Sequence, residues 1–111
     1  MTRRNEQSAL AQMLDFAQRL LRITSGRSRR DLEEDELLQL AVERMLEKLG
    51  EASRRVPDEV RSAHGDIPWQ RIAGMRNRLI HVYDDIDYEI IWDTVQTDLP
   101  TLIEYLKRIL R

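Results

Sequence analysis

The sequence predicts an all-α protein, an antiparallel bundle of four long helices with additional short helices. Apolar residues recur at three- and four-residue spacing in several separate stretches, as one face of a helix requires. The 111 residues include only four Gly and three Pro, which favours long helices over many short strands and turns. We expect one domain, residues 1–111. Domains of this size often gain stability by dimerising, and we expect a dimer.

The first long helix is predicted from about residue 6 to Ile23, and the sequence Thr24-Ser25-Gly26 supplies its end. Six apolar residues mark its inner face. They are Leu10, Met13, Leu14, Ala17, Leu20 and Leu21. This spacing predicts an amphipathic helix that packs one side against the core.

The second long helix is predicted after the polar stretch SRRDLEEDEL, in which either Asp31 or Asp35 could cap its N-terminus. Its apolar stripe comprises Leu38, Val42, Met45, Leu46 and Leu49. The helix is expected to end at about Arg55. Pro57 can then open a short helix, because the missing N–H of proline is not needed at the first helical position.

A third long helix, PWQRIAGMRNRLIHVY, is predicted to begin at Pro68. Its core face comprises Ile72, Met75, Leu79 and Val82. An acidic run follows, in which Asp85 or Asp87 can cap a fourth helix. Pro100 either interrupts that fourth helix or starts a fifth.

Several kinds of site are excluded by the composition. The chain has no Cys, so it has no disulfide and no thiolate metal site. Its two His, His64 and His81, lack a helical metal-binding spacing, and no glycine-rich phosphate loop occurs. We therefore expect no metal and no cofactor. No apolar run approaches the ~20 residues of a membrane span, and the N-terminus lacks the apolar stretch of a signal peptide. The expectation is a cytoplasmic protein.

Arg76 and His81 form the one constellation that could carry chemistry. The guanidinium of Arg76 is permanently charged and can bind a phosphate or a phosphorane. The imidazole of His81 titrates near neutrality and can transfer protons. Together these groups suffice in kind for metal-free RNA cleavage, in which the ribose 2′-hydroxyl attacks its own phosphate.

Helical geometry indicates that one copy of this pair is incomplete. Five residues correspond to about 500° of helix, so Arg76 and His81 diverge by about 140°. One copy also supplies only one proton-transfer group. A symmetric dimer packed through the third helix would bring two copies into one cleft. Asn77 lies four residues before His81 and shares its face, so it could orient the imidazole or bind phosphate.

The segment RNRLIHVY, Arg76 to Tyr83, resembles the Rx4HxY motif of HepT-like HEPN proteins. AVERMLEKLGEA resembles the second-helix stretch of that family, and YDDIDYEIIWDTVQTDLPTLIEYL resembles its C-terminal pattern. The similarity extends from about residue 8 to 110. The resemblance implies a helical dimer that cleaves RNA as a toxin and is encoded beside a minimal nucleotidyltransferase antitoxin.

The resemblance also implies a role for each residue of the segment. Arg76 and His81 would be the catalytic pair, with Asn77 and Arg78 supporting it or binding the substrate. Tyr83 would carry the hydroxyl that the antitoxin modifies with AMP. Such a modification places negative charge and bulk at the mouth of an RNA site, which opposes RNA entry.

Structural interpretations of the same residues stay open at this point. His81 could cap a helix end, Arg76 could form a surface ion pair, and Tyr83 could lie at the core edge. His64 is predicted to be structural or incidental. Core packing is expected of Trp69 and Trp92. The competing functions are a catalytically silent helical dimer that presents a substrate to a nucleotidyltransferase, and a plain structural bundle.

Overall fold

A computed structural model describes the backbone of residues 3–74 and 87–110, with side chains from residue 8 onward. All regular secondary structure in these ranges is helical, which confirms the predicted class. The elements are α1 (Arg3–Thr24), α2 (Arg29–Glu34), α3 (Glu36–Arg54), α4 (Asp58–Ala63), α5 (69–74), α6 (Tyr88–Asp93), a π-helical turn (Thr94–Asp98) and α7 (Leu99–Ile109). None of these helices is both long and apolar enough to span a membrane.

The core forms where α1 packs against α3 and α7. The α1–α3 pair is antiparallel, since the C-terminal end of α3 lies beside the first half of α1, where Arg55 donates a hydrogen bond to Gln12. Four of the six apolar residues predicted to line α1 are fully buried, namely Leu10, Met13, Ala17 and Leu20. Leu21 is 40% exposed instead. It lies ~100° around the helix from Leu20, and this rotation carries its side chain beyond the edge of the core.

The polar stretch before α3 forms a helix of its own, which the sequence did not predict. Ser28 caps α2: its Oγ accepts from the backbone N–H of Asp31 at 3.1 Å, and the Asp31 carboxylate accepts from the N–H of Ser28 at 2.8 Å. Leu32 anchors this short helix in the core. Asp35 caps α3 by accepting from the N–H of Leu38 at 3.2 Å. Of the two predicted caps for the long helix, Asp35 is therefore confirmed.

Asp35 makes the stability of the fold depend on pH. The backbone N–H of Leu38, aided by the Arg27 guanidinium, holds the pKa of Asp35 below its usual 3.8. A lowered folded-state pKa stabilises the protein above pH 3.8, and this contribution is lost as the pH falls through the folded-state pKa. Asn caps helices as well as Asp but carries no charge. We expect Asp35→Asn to be less stable than wild type at about pH 6, and we expect the gap to narrow as the pH falls below 3.8 to about pH 3.

Urea unfolding at the two pH values measures this gap. Asp15→Asn is the matched control, because Asp15 pairs with Arg19 at a half-exposed position and caps no helix. A gap for Asp35→Asn that stays constant between the two pH values would contradict the assignment.

The C-terminal part of the described chain is helical without a break from Tyr88 to Ile109, although it contains Pro100, and we call this stretch the α6–α7 helix. Pro100 lies in the first turn of α7 and has no N–H to donate. The chain accommodates it by widening to a π-helical turn, in which the N–H of Leu99 donates to the carbonyl of Thr94. Of the two predicted outcomes, the start of a further α-helix agrees with the structure, because α7 begins at Leu99 with Pro100 in its first turn. The π-helical turn before α7 keeps the backbone helical, so Pro100 does not break the chain of helical residues.

Candidate functional site

The predicted site residues lie outside the described residues. They are Arg76, Asn77, Arg78, His81 and Tyr83. We call residues 75–86 the motif segment. The structure describes the stretches that lead into and out of it, namely α5 on one side and the chain from Asp87 onward on the other. These two stretches define where the segment is attached to the bundle.

Trp69 fixes the beginning of α5. Its indole Nε1 donates to the backbone carbonyl of His64 at 3.0 Å, and its ring packs against the core. The N–H of Ile72 donates to the carbonyl of Pro68 at 3.1 Å, so the first helical turn starts at the predicted proline. Ile72 also packs against the core. The core role predicted for Trp69 and the structural role predicted for His64 are both confirmed.

An ion pair joins α5 to the helix opposite. Nη1 of Arg71 lies 2.7 Å from Oδ2 of Asp98, the last residue of the π-helical turn. The Asp98 side chain is 24% exposed and that of Arg71 63%, so solvent screens the pair and its contribution to stability is modest. The position of the pair is what matters for the site. The pair joins α5 to the α6–α7 helix three residues before Gly74, where the described part of α5 ends.

Asp87 fixes the chain where the motif segment ends. Its Oδ1 accepts from the backbone N–H groups of Glu89 at 3.0 Å and Ile90 at 3.2 Å, which caps α6. The prediction that Asp87 caps this helix is confirmed, whereas the alternative, Asp85, lies outside the described residues. Glu89 also pairs with Arg29 at 3.3 Å, which ties α6 to α2.

Tyr88, two residues after the motif segment, connects the chain to α3. Its hydroxyl donates to Oε1 of Glu43 at 2.8 Å, in a half-buried position. Burial, followed by the hydrogen bond and charge of Glu43, raises the pKa of Tyr88 to about 12. The phenol therefore stays protonated at neutral pH and remains a donor to the carboxylate. The ring packs against the core.

A groove runs between α5 and the α6–α7 helix. Its lining comprises Arg71, Gly74, Ile90, Asp93, Thr94, Thr97 and Asp98. Among these residues Arg71 is the one cation, and it is paired with Asp98, while Asp93 adds a further negative charge. This lining is not suited to bind a phosphate by itself. Within the described ranges, no group of three His, Asp or Glu side chains could hold a metal ion.

Sequence reasoning missed four residues that form contacts near the two ends of the motif segment in the chain: Arg71, Asp98, Glu43 and Tyr88. The paired residues are 27 and 45 positions apart in the chain. Helical periodicity shows which face a residue occupies, but not which side chain of another helix it meets. No local signal in the sequence could have found either pair.

Most of the chain matches a known protein family. Residues 13–109 match the family described as Ribonuclease HepT-like. The match covers most of the chain, including the motif segment and the helices on either side of it. The chain belongs to the HepT-like ribonuclease family.

Individual relatives agree with the family. "Putative RNase TTE0752" of Caldanaerobacter subterraneus subsp. tengcongensis is 39% identical over 102 residues, which is 92% of this chain and 91% of the relative. "Probable ribonuclease HepT" of Thermococcus cleftensis is 44% identical over 68 residues, 61% of this chain and 62% of the relative. "Putative RNase MJ1216" of Methanocaldococcus jannaschii is 28% identical over 111 residues, 100% of this chain and 92% of the relative. No solved structure matches the chain significantly.

Proposed function

We propose that this protein is a metal-independent endoribonuclease that acts as the toxin of a toxin–antitoxin pair. The observation that carries the proposal is the segment RNRLIHVY, which sets Arg76 and His81 five residues apart in a chain of the HepT-like ribonuclease family. These two side chains supply a phosphate-binding cation and a proton-transfer group, and metal-free cleavage of RNA needs both.

The proposed reaction is an internal transesterification. The imidazole of His81 takes the proton of the ribose 2′-hydroxyl, and O2′ forms a bond to the adjacent phosphorus. The bond from phosphorus to the 5′-oxygen of the next nucleotide breaks, and this oxygen takes a proton from an imidazolium. Arg76 neutralises the charge that builds on the phosphoryl oxygens. Asn77 orients the imidazole, and Arg78 binds a neighbouring phosphate. The products are a 2′,3′-cyclic phosphate and a 5′-hydroxyl.

We propose that a homodimer completes this site. The reaction needs one base and one acid, and one chain offers a single suitable imidazole in the segment. Two leucines support the proposal, because Leu37 and Leu40 on α3 are 79% and 55% exposed. They lie about two turns and one turn before Glu43, which accepts a hydrogen bond from Tyr88, two residues after the motif segment. A second copy could cover this apolar surface.

The proposed regulator is a minimal nucleotidyltransferase that transfers AMP to Tyr83. In this step the Tyr83 oxygen forms a bond to the α-phosphorus of ATP, pyrophosphate leaves, and a base of the transferase takes the phenolic proton. The other two tyrosines are less suitable acceptors. The Tyr88 hydroxyl is engaged with Glu43, and the Arg108 guanidinium lies 4.7 Å above the Tyr105 ring.

The mechanism predicts how cleavage depends on the substrate and on metal ions. We expect the purified protein to cleave RNA at an undiminished rate in excess EDTA. We also expect one 2′-deoxyribose at a cleaved position to stop cleavage there, because the attacking oxygen is then missing. Mass spectrometry should find 2′,3′-cyclic phosphate termini. Cleavage that requires a divalent ion, or that proceeds at the deoxyribose, would refute the mechanism.

The groove beside the motif segment favours one alternative function. Asp93 lines it beside the Arg71–Asp98 ion pair, and the Asp93 carboxylate repels phosphate but attracts a basic protein surface. The alternative is a catalytically silent dimer that holds a nucleotidyltransferase and presents a substrate to it. Tight binding of that enzyme, combined with intact RNA in every cleavage assay, would favour this function over the ribonuclease.

A further inference from the structure

Two polar contacts lie on either side of the motif segment, and each ends on a carboxylate of another helix. Arg71 pairs with Asp98 before the segment, and Tyr88 donates to Glu43 after it. The first contact is largely exposed, and solvent weakens it. The second is half-buried. It joins the chain just after the segment to α3, one of the two helices that form most of the core. The second contact is therefore the stronger constraint on the segment.

The Tyr88 side chain is constrained at both of its ends. Packing of the ring against the core limits its two side-chain dihedral angles, and the hydrogen bond fixes the hydroxyl on Glu43. Asp87, one residue earlier, is fixed by its capping hydrogen bonds. The chain therefore leaves the motif segment at a defined position relative to α3. His81 lies seven residues before Tyr88 in the sequence, and Tyr83 lies five before it.

We propose that Glu43 and Tyr88 are positioning residues for the ribonuclease site, with their hydrogen bond holding the segment that carries His81 in its reactive placement. The inference rests on the proposed function. Neither residue is expected to touch the RNA. A displacement of about 1 Å at a catalytic group can cost about 100-fold in rate, so loss of one hydrogen bond that places this group has a measurable effect.

Loss of a positioning contact lowers kcat/KM, because the segment that it holds carries both the proton-transfer group and the phosphate-binding arginines. We expect Tyr88→Phe and Glu43→Ala each to lower kcat/KM about tenfold. Glu43→Gln keeps an oxygen that can accept from the hydroxyl and should restore most of kcat/KM. The double variant should be no slower than the slower single variant, since both remove the same contact.

Tyr105→Phe is the matched control. Tyr105 is a half-buried tyrosine that also packs against the core, but it lies on α7 and has no hydrogen bond to α3 among the contacts of the described residues. A purely structural role for Tyr88 predicts equal kinetics for the two Phe variants. It also predicts that Glu43→Gln is as slow as Glu43→Ala. Either result overturns the proposal.

Hydrogen–deuterium exchange tests the inference without any RNA. We expect the peptide that covers residues 75–86 to exchange about threefold to tenfold faster in Tyr88→Phe than in wild type or Tyr105→Phe, as loss of one net hydrogen bond allows. Unchanged exchange refutes the positioning role even if RNA is cleaved. Faster exchange in a protein that cleaves no RNA would show that the Tyr88–Glu43 contact constrains the segment, and the ribonuclease proposal would fail separately.

Discussion

Replacing His81 with Ala is expected to lower the rate of RNA cleavage by about 10²–10⁴-fold. His81 is the proposed base for the 2′-hydroxyl and, in the second copy, the proposed acid for the leaving oxygen, and a positioned proton-transfer group contributes about this factor. Arg76→Ala should cause a similar loss, whereas Arg76→Lys should recover part of it, because Lys keeps the charge without the bidentate fork. Single-turnover cleavage of a defined RNA measures all three rates.

His64→Ala is the control for this experiment, because His64 is the other histidine of the chain. Its contribution to the site is its backbone carbonyl, which accepts from the Trp69 indole and is present in any residue. We expect His64→Ala to cleave RNA at close to the wild-type rate, and circular dichroism should confirm that both variants are folded. Equal rates for His81→Ala and wild type would remove the ribonuclease proposal.

The sequence predicted helix starts and caps correctly where a single local signal determined them. The start of α4 after Pro57 and the cap of α6 by Asp87 each rest on a local rule that the structure obeys. The separate helix α2 was missed because SRRDLEEDEL contains several residues that can cap. Ser28 caps a helix there because Leu32, four residues later, reaches the core. That preference depends on tertiary packing, which single-sequence rules do not contain.

The π-helical turn is a second feature that depends on tertiary packing and that single-sequence rules did not predict. Two outcomes were predicted at Pro100, a break or a new helix, and α7 does start there, but an unpredicted π-helical turn joins it to α6. The widened turn is tolerated because Val95, Leu99 and Leu102 are buried, so the core keeps the helix continuous through a locally unfavourable residue. The turn ends at Asp98, and this residue pairs with Arg71.

The candidate site divides between what a motif can identify and what only a structure can supply. Arg76, His81 and Tyr83 stand out in the sequence because their residue types and spacing suit a reaction and its control. Glu43 cannot be recognised by residue type and spacing, because a Glu on the polar face of an amphipathic helix is ordinary. Its hydrogen bond with Tyr88 depends on the tertiary fold, which brings residues 45 positions apart into contact.

Attachment of AMP to Tyr83 is expected to lower RNA cleavage by about 100-fold or more. The added phosphodiester puts a negative charge where the RNA backbone must enter, and like charges in contact cost several kcal/mol, each ~1.4 kcal/mol being a factor of ten. Co-expression with a minimal nucleotidyltransferase of the proposed kind should add the mass of AMP to the intact protein. Peptide mapping should place it on Tyr83, not on Tyr88 or Tyr105.

The Tyr83→Phe variant tests whether transfer of AMP to Tyr83 causes the loss of RNA cleavage. This variant keeps the ring but has no acceptor oxygen, so we expect it to cleave RNA, to gain no mass and to arrest growth even when the nucleotidyltransferase is present. Tyr88→Phe should still be modified, because it retains Tyr83. If Tyr83→Phe were silenced by the nucleotidyltransferase as completely as wild type, neutralisation would proceed by binding alone. Tyr83 would then be a tyrosine at the edge of the core.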